Sequence, residues 1–392
     1  MSIEVSVILP SYNRYPLNML SLYALKNQTF DFSKMEVLLI DDASTDETHL
    51  LQNYSAPYPF RYIRNKTNLG RSKSRNIGIK KARGDILIFL DAEVIVDPDF
   101  VKNHYQRHLS NEQLVVTGKN TNKVFSFLFP EFTQSQLGTF EEIVHHSPLV
   151  KNRLETNVKK NSNKPVQLLF EEDCRSFSTI KHFSVPKKYE QNIMRAFSDD
   201  FRLPWISCTT LNHSVKKKLV DSVGGFDEQF IGHGLEDYEY GYRLYKAGTN
   251  FSYDPNIYIY HQEHPKEKDW KEHETKNLIY FQQKHPYIDV CLLSLERIHV
   301  YDYKFMDNIM AEYQALSQNY PAMFNDFKKA ILVLLQQIPL LKAEGKPVTS
   351  LLKSTGIEDD EEWRNRLLIE HKALGKYGLE NLTKLFDLLI RH

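Results

Sequence analysis

The stretch Gly84-Asp-Ile-Leu-Ile-Phe-Leu-Asp-Ala-Glu93 decides the fold of this chain, because a short apolar run ends abruptly in two carboxylates one residue apart. Such a run, opened by glycine and closed by acid, reads as a strand buried on both faces of a sheet. Side chains alternate along an extended backbone, so Asp91 and Glu93 are expected to point the same way from the strand's end. Paired in that manner they can clamp a divalent ion beside a phosphate. An ordinary turn cluster is the competing reading, and the surrounding sequence decides between them.

Two runs of the same character precede it, over 5–9 and 36–40, and the three are separated by segments that read as helices, 17–28 and 71–82 among them. Apolar strands alternating with helices predict an α/β fold: a mostly parallel sheet with helices on both faces and right-handed crossovers. Ligands of such sheets sit beyond the carboxyl ends of the strands. Pro10 to Asn13, Asp41 to Ser44 and Asp91 to Glu93 all fall there.

At 392 residues the chain has room for a core of about 250 residues plus an appended domain. Lys+Arg and Asp+Glu are equal at 50 each, so no global field draws nucleic acid or an anionic membrane surface, and any phosphate site must be local. The opening Met-Ser-Ile-Glu-Val-Ser-Val-Ile-Leu-Pro lacks the basic-then-apolar plan of a secretion signal and leads directly into a strand. The longest late apolar run, Ile331 to Leu335, is far short of the roughly 20 residues that span a bilayer. A cytoplasmic protein without a transmembrane segment is expected. Cys174, Cys208 and Cys291 are far apart and odd in number, which predicts buried fillers rather than disulfides or a zinc site.

Beyond Val115 the pattern loosens. Residues 121–188 are polar, with helical patches such as 134–144, and read as a variable insertion near the site. Order is expected again from Leu203: a strand over 205–213, a helix from Ser214, the turn Gly224-Gly-Phe-Asp227 and a helix over 236–247. From 290 to 392 the spacing is helical throughout, as in Ile331, Leu334, Leu335, Ile338 and Leu341. The expected division is a catalytic domain over 1–289 and a separate α-helical domain over 290–392.

In Pro10-Ser-Tyr12-Asn13-Arg14 the proline is expected to end the ladder and leave an aromatic ring and an amide for a nucleobase; a plain strand-end turn is the alternative. In Ile40-Asp41-Asp42-Ala-Ser44-Thr-Asp-Glu47, residues 44–47 read as helix capping, which leaves Asp41 and Asp42 for a base imide or a ribose hydroxyl. Asn68-Leu-Gly-Arg71-Ser-Lys73-Ser-Arg75-Asn76-Ile-Gly78 sets three cations in the first turns of a helix, against its macrodipole. A diphosphate would compensate them; a solvated basic face is the alternative. Glu236-Asp237 opens a helix from a Gly-flanked loop that lets a sugar approach with Asp237 at the rim, or else simply caps that helix. Trp205, just before Ser207-Cys-Thr-Thr210, either floors a sugar pocket or packs in the core. No Gly-x-Gly-x-x-Gly follows the first strand, which argues against a nicotinamide-dependent oxidoreductase.

The series Val-Ile-Leu-Pro-Ser-Tyr-Asn13, Ile-Asp-Asp-Ala-Ser-Thr-Asp-Glu-Thr48, Asn-Leu-Gly70 with Ser-Arg-Asn-Ile-Gly78, and Phe-Leu-Asp-Ala-Glu93 resembles the family 2 glycosyltransferases of the GT-A fold. A second block, Val223-Gly-Gly-Phe-Asp-Glu-Gln-Phe230 with Gly232-His-Gly-Leu-Glu236-Asp237 and Arg243, resembles the later catalytic segment of galactosyltransferase-like enzymes. Together they cover about residues 3 to 265. The resemblance implies a Rossmann-like GT-A domain using a UDP-sugar. It places the strand tip at Pro10, with Tyr12, Asn13, Asp41, Asp42 and Arg71 or Arg75, against the uridine, and Asp91 near ribose and metal. Glu93 stands where the family more often has Asp. It further implies Asp91, Glu93 and a histidine, His261 before His264, as ligands of Mn²⁺ or Mg²⁺, and Asp237, beside Glu236, as the base that deprotonates the acceptor while the anomeric carbon inverts.

A hexose, glucose or N-acetylhexosamine, is then the group transferred. The helical domain suggests a docked peptide or a homodimer interface. The arrangement is similar to the peptide glycosyltransferases that modify glycocin-type bacteriocins on Cys or Ser, so a peptide acceptor is the first expectation. Assembly of a cell-surface polysaccharide or teichoic acid is the second, and an inactive sugar-nucleotide-binding scaffold is the reading from another class.

Overall fold

The computed structural model describes residues 2–157, 164–186, 196, 198, 200–266 and 269–392. Its first 124 residues hold β1 (Val5–Ser11), β2 (Met35–Asp41), β3 (Phe60–Arg64), β4 (Ile86–Leu90), β5 (Val94–Val96) and β6 (Leu114–Val124). Then come a small separate pair, β7 (Phe127–Leu128) with β8 (Val166–Gln167), and β9 (Ser184–Pro186), β10 (Asn212–Lys216) and β11 (Asn250–Gln262).

One sheet runs in the order β3-β2-β1-β4-β10-β6-β11-β5, with β9 added beside β6. Its first four strands are parallel; β10 lies antiparallel to both β4 and β6, and β11 pairs parallel with β6 and antiparallel with β5. Successive side chains feed opposite faces. Val5, Val7, Leu9, Ile86, Ile88 and Leu90 pack with Leu20 and Leu25 of the helix Leu17–Lys26. Ile8, Leu38, Ile40, Leu87 and Phe89 join a second core with Ile79, Val220 and Leu244. Strands apolar on both sides therefore have helices on both sides, which is the expected α/β layering.

Several local expectations shift. β1 does not stop at Pro10 but runs through it to Ser11, in register with Asp41. Its pairing with β4 ends earlier, at Ile8, so the proline's missing donor falls where the strand keeps one neighbour. The strand expected over 205–213 is instead a short 3-10 turn, Pro204–Ser207, followed by β10, and the next helix is Lys217–Val223. Part of the expected insertion is structural core, since Phe125, Phe127, Phe132, Phe140 and Phe183 are buried; its residues 158–163 and 187–188 lie outside the described ones.

The chain forms two compact units. The first takes in Met1–Glu190, Trp205–Gln229 and Asp237–Lys268, and the second Gln191–Pro204, Phe230–Glu236 and Asp269–His392. The final helical stretch of the second unit runs from Asp269, ahead of the 290 expected, and in it the helix Trp270–Lys284 packs on the long helix Asn325–Ala343.

Candidate active site

Asp91 and Glu93 lie just beyond the tip of β4. The Val94 N–H donates to the Asp91 carbonyl at 3.2 Å, and Ala92 between the two acids is fully buried, its carbonyl accepting from Ser21 Oγ at 2.6 Å. The chain turns there, so the side-chain alternation of an extended strand ends at Leu90. Asp91 meets the buried guanidinium of Arg75 at 3.4 Å. Glu93 turns inward, with Oε1 3.1 Å from Arg14 Nε and 3.5 Å from His264 Nε2.

Sheet register brings the histidines to Glu93. β11 runs antiparallel to β5 with His261 opposite Val94, and the Gln262 N–H donates to the Glu93 carbonyl at 3.0 Å. Ligand atoms of Glu93, His261 and His264 lie within 4.8 Å of one another. Burial by itself would push the Glu93 carboxyl up, but the charges of Arg14, His264, His261 and Arg71 outweigh it and hold the group below the usual carboxylate range. One anionic oxygen and two imidazoles converging this closely could hold a divalent cation that tolerates nitrogen donors, Mn²⁺ more readily than Mg²⁺. The grouping holds the expected Glu93 and His261 and adds His264, while the expected third ligand, Asp91, pairs with Arg75.

The His264 segment is fixed from the insertion. Gln136 Nε2 donates to Glu263 Oε1 at 2.8 Å and to the His264 carbonyl at 2.9 Å, while its Oε1 accepts from the Thr133 N–H at 3.0 Å in a capping box. One buried amide thus starts the helix Gln134–His146 and anchors a candidate ligand.

On the other side of the β1 and β2 tips, Tyr12 is 44% exposed and open to a flat ligand. Asn13 has φ +51°, and its side-chain oxygen accepts from the Thr45 N–H at 2.8 Å. Asp41 is fully buried and accepts from Ser44 N–H at 2.8 Å, from Arg64 at 3.1 Å and from the Tyr62 hydroxyl. Asp42 accepts from Asn65 Nδ2 at 2.7 Å and from the Leu69 and Gly70 N–H groups, each at 2.8 Å. Both acids tie loops together at the strand ends. Arg75 is 1% exposed, its guanidinium 5.3 Å from the Phe226 ring centroid, whereas Arg71, on the first turn of the helix Arg71–Lys81, is half-buried.

The two sequence blocks are bolted together by amides and a guanidinium. Asn76 Nδ2 donates to the Phe226 carbonyl at 2.8 Å, and its Oδ1 accepts from the Phe226 N–H at 2.8 Å. A Cβ on Gly225, which has φ +73°, would sit 2.7 Å from that oxygen. Arg243 donates to the Val223 carbonyl and, at 2.5 Å, to that of Gly225, while Glu239 grips its Nε. Asp237, half-buried near the start of the helix Glu236–Lys246, accepts from the Tyr238 N–H at 2.9 Å and the Thr210 N–H at 3.4 Å. The Cys208 thiol is pushed up by burial and by Asp237, against the pull of Arg75 and Arg243. Glu236 is buried. Trp205 is fully buried, edge-on to Tyr242 at 5.3 Å and Tyr238 at 6.2 Å, so it packs in the core.

Sequence reasoning passed over Arg14 and Gln136. Arg14 follows Tyr12 and Asn13 at the first strand tip, and the one local signal at Gln136 is the Thr-x-x-Gln capping pattern.

The description "Glycosyl transferase family 2" matches residues 6–160, and "Glycosyltransferase like family 2" matches residues 139–266. The chain is 31% identical over 344 residues to the uncharacterized glycosyltransferase YfnE of Bacillus subtilis, covering 85% of this chain and 84% of that one. It is 26% identical over 303 residues to the hyaluronan synthase of Pasteurella multocida, covering 76% of this chain and 29% of that protein. Staphylococcus aureus TarS 1–349 in complex with UDP superposes with a TM-score of 0.46 at 15% identity, over 98% of this chain and 90% of that one. The chain belongs to glycosyltransferase family 2 and has its GT-A fold, followed by a C-terminal helical region. Enzymes of this family draw their sugar from a nucleotide-linked donor. No helix among the described residues is long and apolar enough to cross a membrane.

Proposed function

We propose that this glycosyltransferase is an inverting, Mn²⁺-dependent enzyme that moves a hexose from a UDP-sugar to a hydroxyl of a surface-glycan acceptor. The observation that carries the reading is the convergence of Glu93, His261 and His264 beside the β4 tip, where donors of parallel sheets bind. Those three residues would hold the cation, which when bound supplies positive charge to the departing diphosphate. Arg71 adds charge to the same region, and Arg75 keeps Asp91 oriented toward the ribose. Tyr12 offers an exposed ring to the uracil. Asp42 holds the N–H groups of the Leu69-Gly70 turn, fixing the start of the Arg71 helix. Asp237 takes the acceptor proton, and the fixed Gly224-Gly225 turn and its own helix hold its place.

A glycan acceptor is supported by the named relative that polymerises hyaluronan. The second reading, a peptide Cys or Ser as in bacteriocin modification, draws on exposed Leu368 and Ile369 of the helix Glu361–Leu374, which a peptide or a second copy of the chain could cover. Three buried free thiols suit a reducing cytoplasm.

Incubation of the purified chain with UDP-glucose or UDP-N-acetylglucosamine and Mn²⁺, followed by UDP release, tests the donor half. Turnover is expected to vanish in Glu93→Ala. Asp237→Asn is expected to lower transfer to a hydroxyl acceptor by about 10²–10⁴-fold while UDP still binds. Tight UDP binding without turnover on any acceptor would instead favour a scaffold.

A further inference from the structure

The helical unit carries a cavity that the transfer chemistry does not use. It has a volume of about 640 Å³ and lies among the helix Trp270–Lys284, the turn around Arg297 to Tyr301 and the C-terminal end of the helix Asn325–Ala343. That volume falls within the range of about 300–1,000 Å³ typical of small-ligand sites.

Its lining mixes three kinds of group. Trp270 and Tyr301, the latter 53% exposed, present ring surface. Glu272 pairs with Lys276 at 2.6 Å, and Glu274 pairs with Arg297 at 2.7 Å. Burial pushes the Glu296 carboxyl up, and its Oε1 accepts from the Tyr303 hydroxyl at 3.2 Å. Lys271 and Lys342 have no ion-pair partner among the described residues, and Lys271 lies 5.5 Å from the Trp270 ring centroid. Once the paired charges cancel, the cavity keeps a surplus of positive charge beside carboxyl groups that can bind hydroxyls.

We infer that this cavity binds a short stretch of acidic oligosaccharide, with ring faces on Trp270 and Tyr301, hydroxyls on the glutamates and the sugar's acid groups on Lys271 and Lys342. Aromatic faces cover the apolar face of a sugar ring, and carboxyl groups accept its hydroxyls. Three carboxylates, Glu272, Glu274 and Glu296, line the cavity beside the lysines, and they oppose a compact diphosphate more than a glycan whose acid groups lie farther apart. The ligand class rests on the surface-glycan reading given above, and it makes the helical unit a holding site for the acceptor chain.

The test is calorimetric titration of the full chain with a hyaluronan tetrasaccharide, with neutral cellotetraose and with UDP, alongside UDP release from the same preparation. The acidic tetrasaccharide is expected to bind at least about ten-fold more tightly than the neutral one, and to lose at least about ten-fold in the Lys271→Ala/Lys342→Ala variant. Raised salt should weaken it further. Both lysines are exposed, so the variant should keep its donor hydrolysis, which reports an intact fold. Equal binding of the neutral sugar, an unchanged constant in the double variant, displacement of the tetrasaccharide by UDP, or no binding at millimolar ligand would each overturn the inference. Because donor hydrolysis is read separately, its loss would count against the catalytic reading and not against this site.

Discussion

Glu93 is the residue on which the site turns, and Arg14 is its rival ligand. A mostly buried carboxylate needs a positive partner, and the Arg14 guanidinium sits on one of the two oxygens Glu93 could offer a cation. Arg14→Met is therefore expected to tighten Mn²⁺ binding by roughly ten-fold, because the ion no longer displaces a cation. The same change should lower stability without metal by on the order of 1–3 kcal/mol, recovered when Mn²⁺ is added. Paramagnetic resonance of Mn²⁺ and melting curves with and without it read both effects, and an unchanged affinity would exclude the competition. At this scale the sequence pointed to Glu93 and His261, but it paired Glu93 with Asp91 on strand geometry. The chain turns at Ala92, which nothing in local spacing announces.

Among the elements, the helix Gln134–His146 shows how a segment that reads as a peripheral insertion reaches the site. Gln136 closes its own N-terminal box and holds the Glu263-His264 backbone. Gln136→Ala is expected to weaken Mn²⁺ binding about ten- to hundred-fold, as loss of an outer-shell partner does, while the lost cap costs about 1 kcal/mol of stability. Titration calorimetry together with a melting curve separates the two, and a fall in stability with unchanged Mn²⁺ affinity would make the amide merely structural. Strands β1, β2 and β4 were legible because both of their faces are apolar. β3 was not, since Phe-Arg-Tyr-Ile-Arg is an edge strand whose residues are half-buried or exposed. β10 was misplaced for a related reason: its Asn212 and Ser214 are buried polar groups whose partners, His104 and His108, come from more than a hundred residues away.

For the molecule as a whole, that buried imidazole group sets an acid limit. Burial lowers His104 and His213 to about 3 and His108 to about 4, so all three stay neutral in the fold at pH values where the unfolded chain is protonated. The unfolded state then binds more protons, and stability falls as pH drops. Their contribution is complete above about pH 6.5 and is lost toward pH 4 and 3, by at most about 1.4 kcal/mol per pH unit for each ring. A melting temperature falling steadily from pH 7 to pH 5 is expected, with a shallower slope in His104→Gln; identical slopes would show that other groups govern acid unfolding.

By itself the sequence determined the layered α/β sheet, the strand ends where ligands gather and the family, because apolar runs, turns and short motifs are local properties of the chain. Only the tertiary structure decided which side chains meet there: that Asp91 turns to Arg75, that Glu93 gathers two histidines and Arg14, that Trp205 is core, and that Gln136 serves the site. Those pairings depend on strand register and on contacts between residues well separated in the sequence, and no local spacing encodes either.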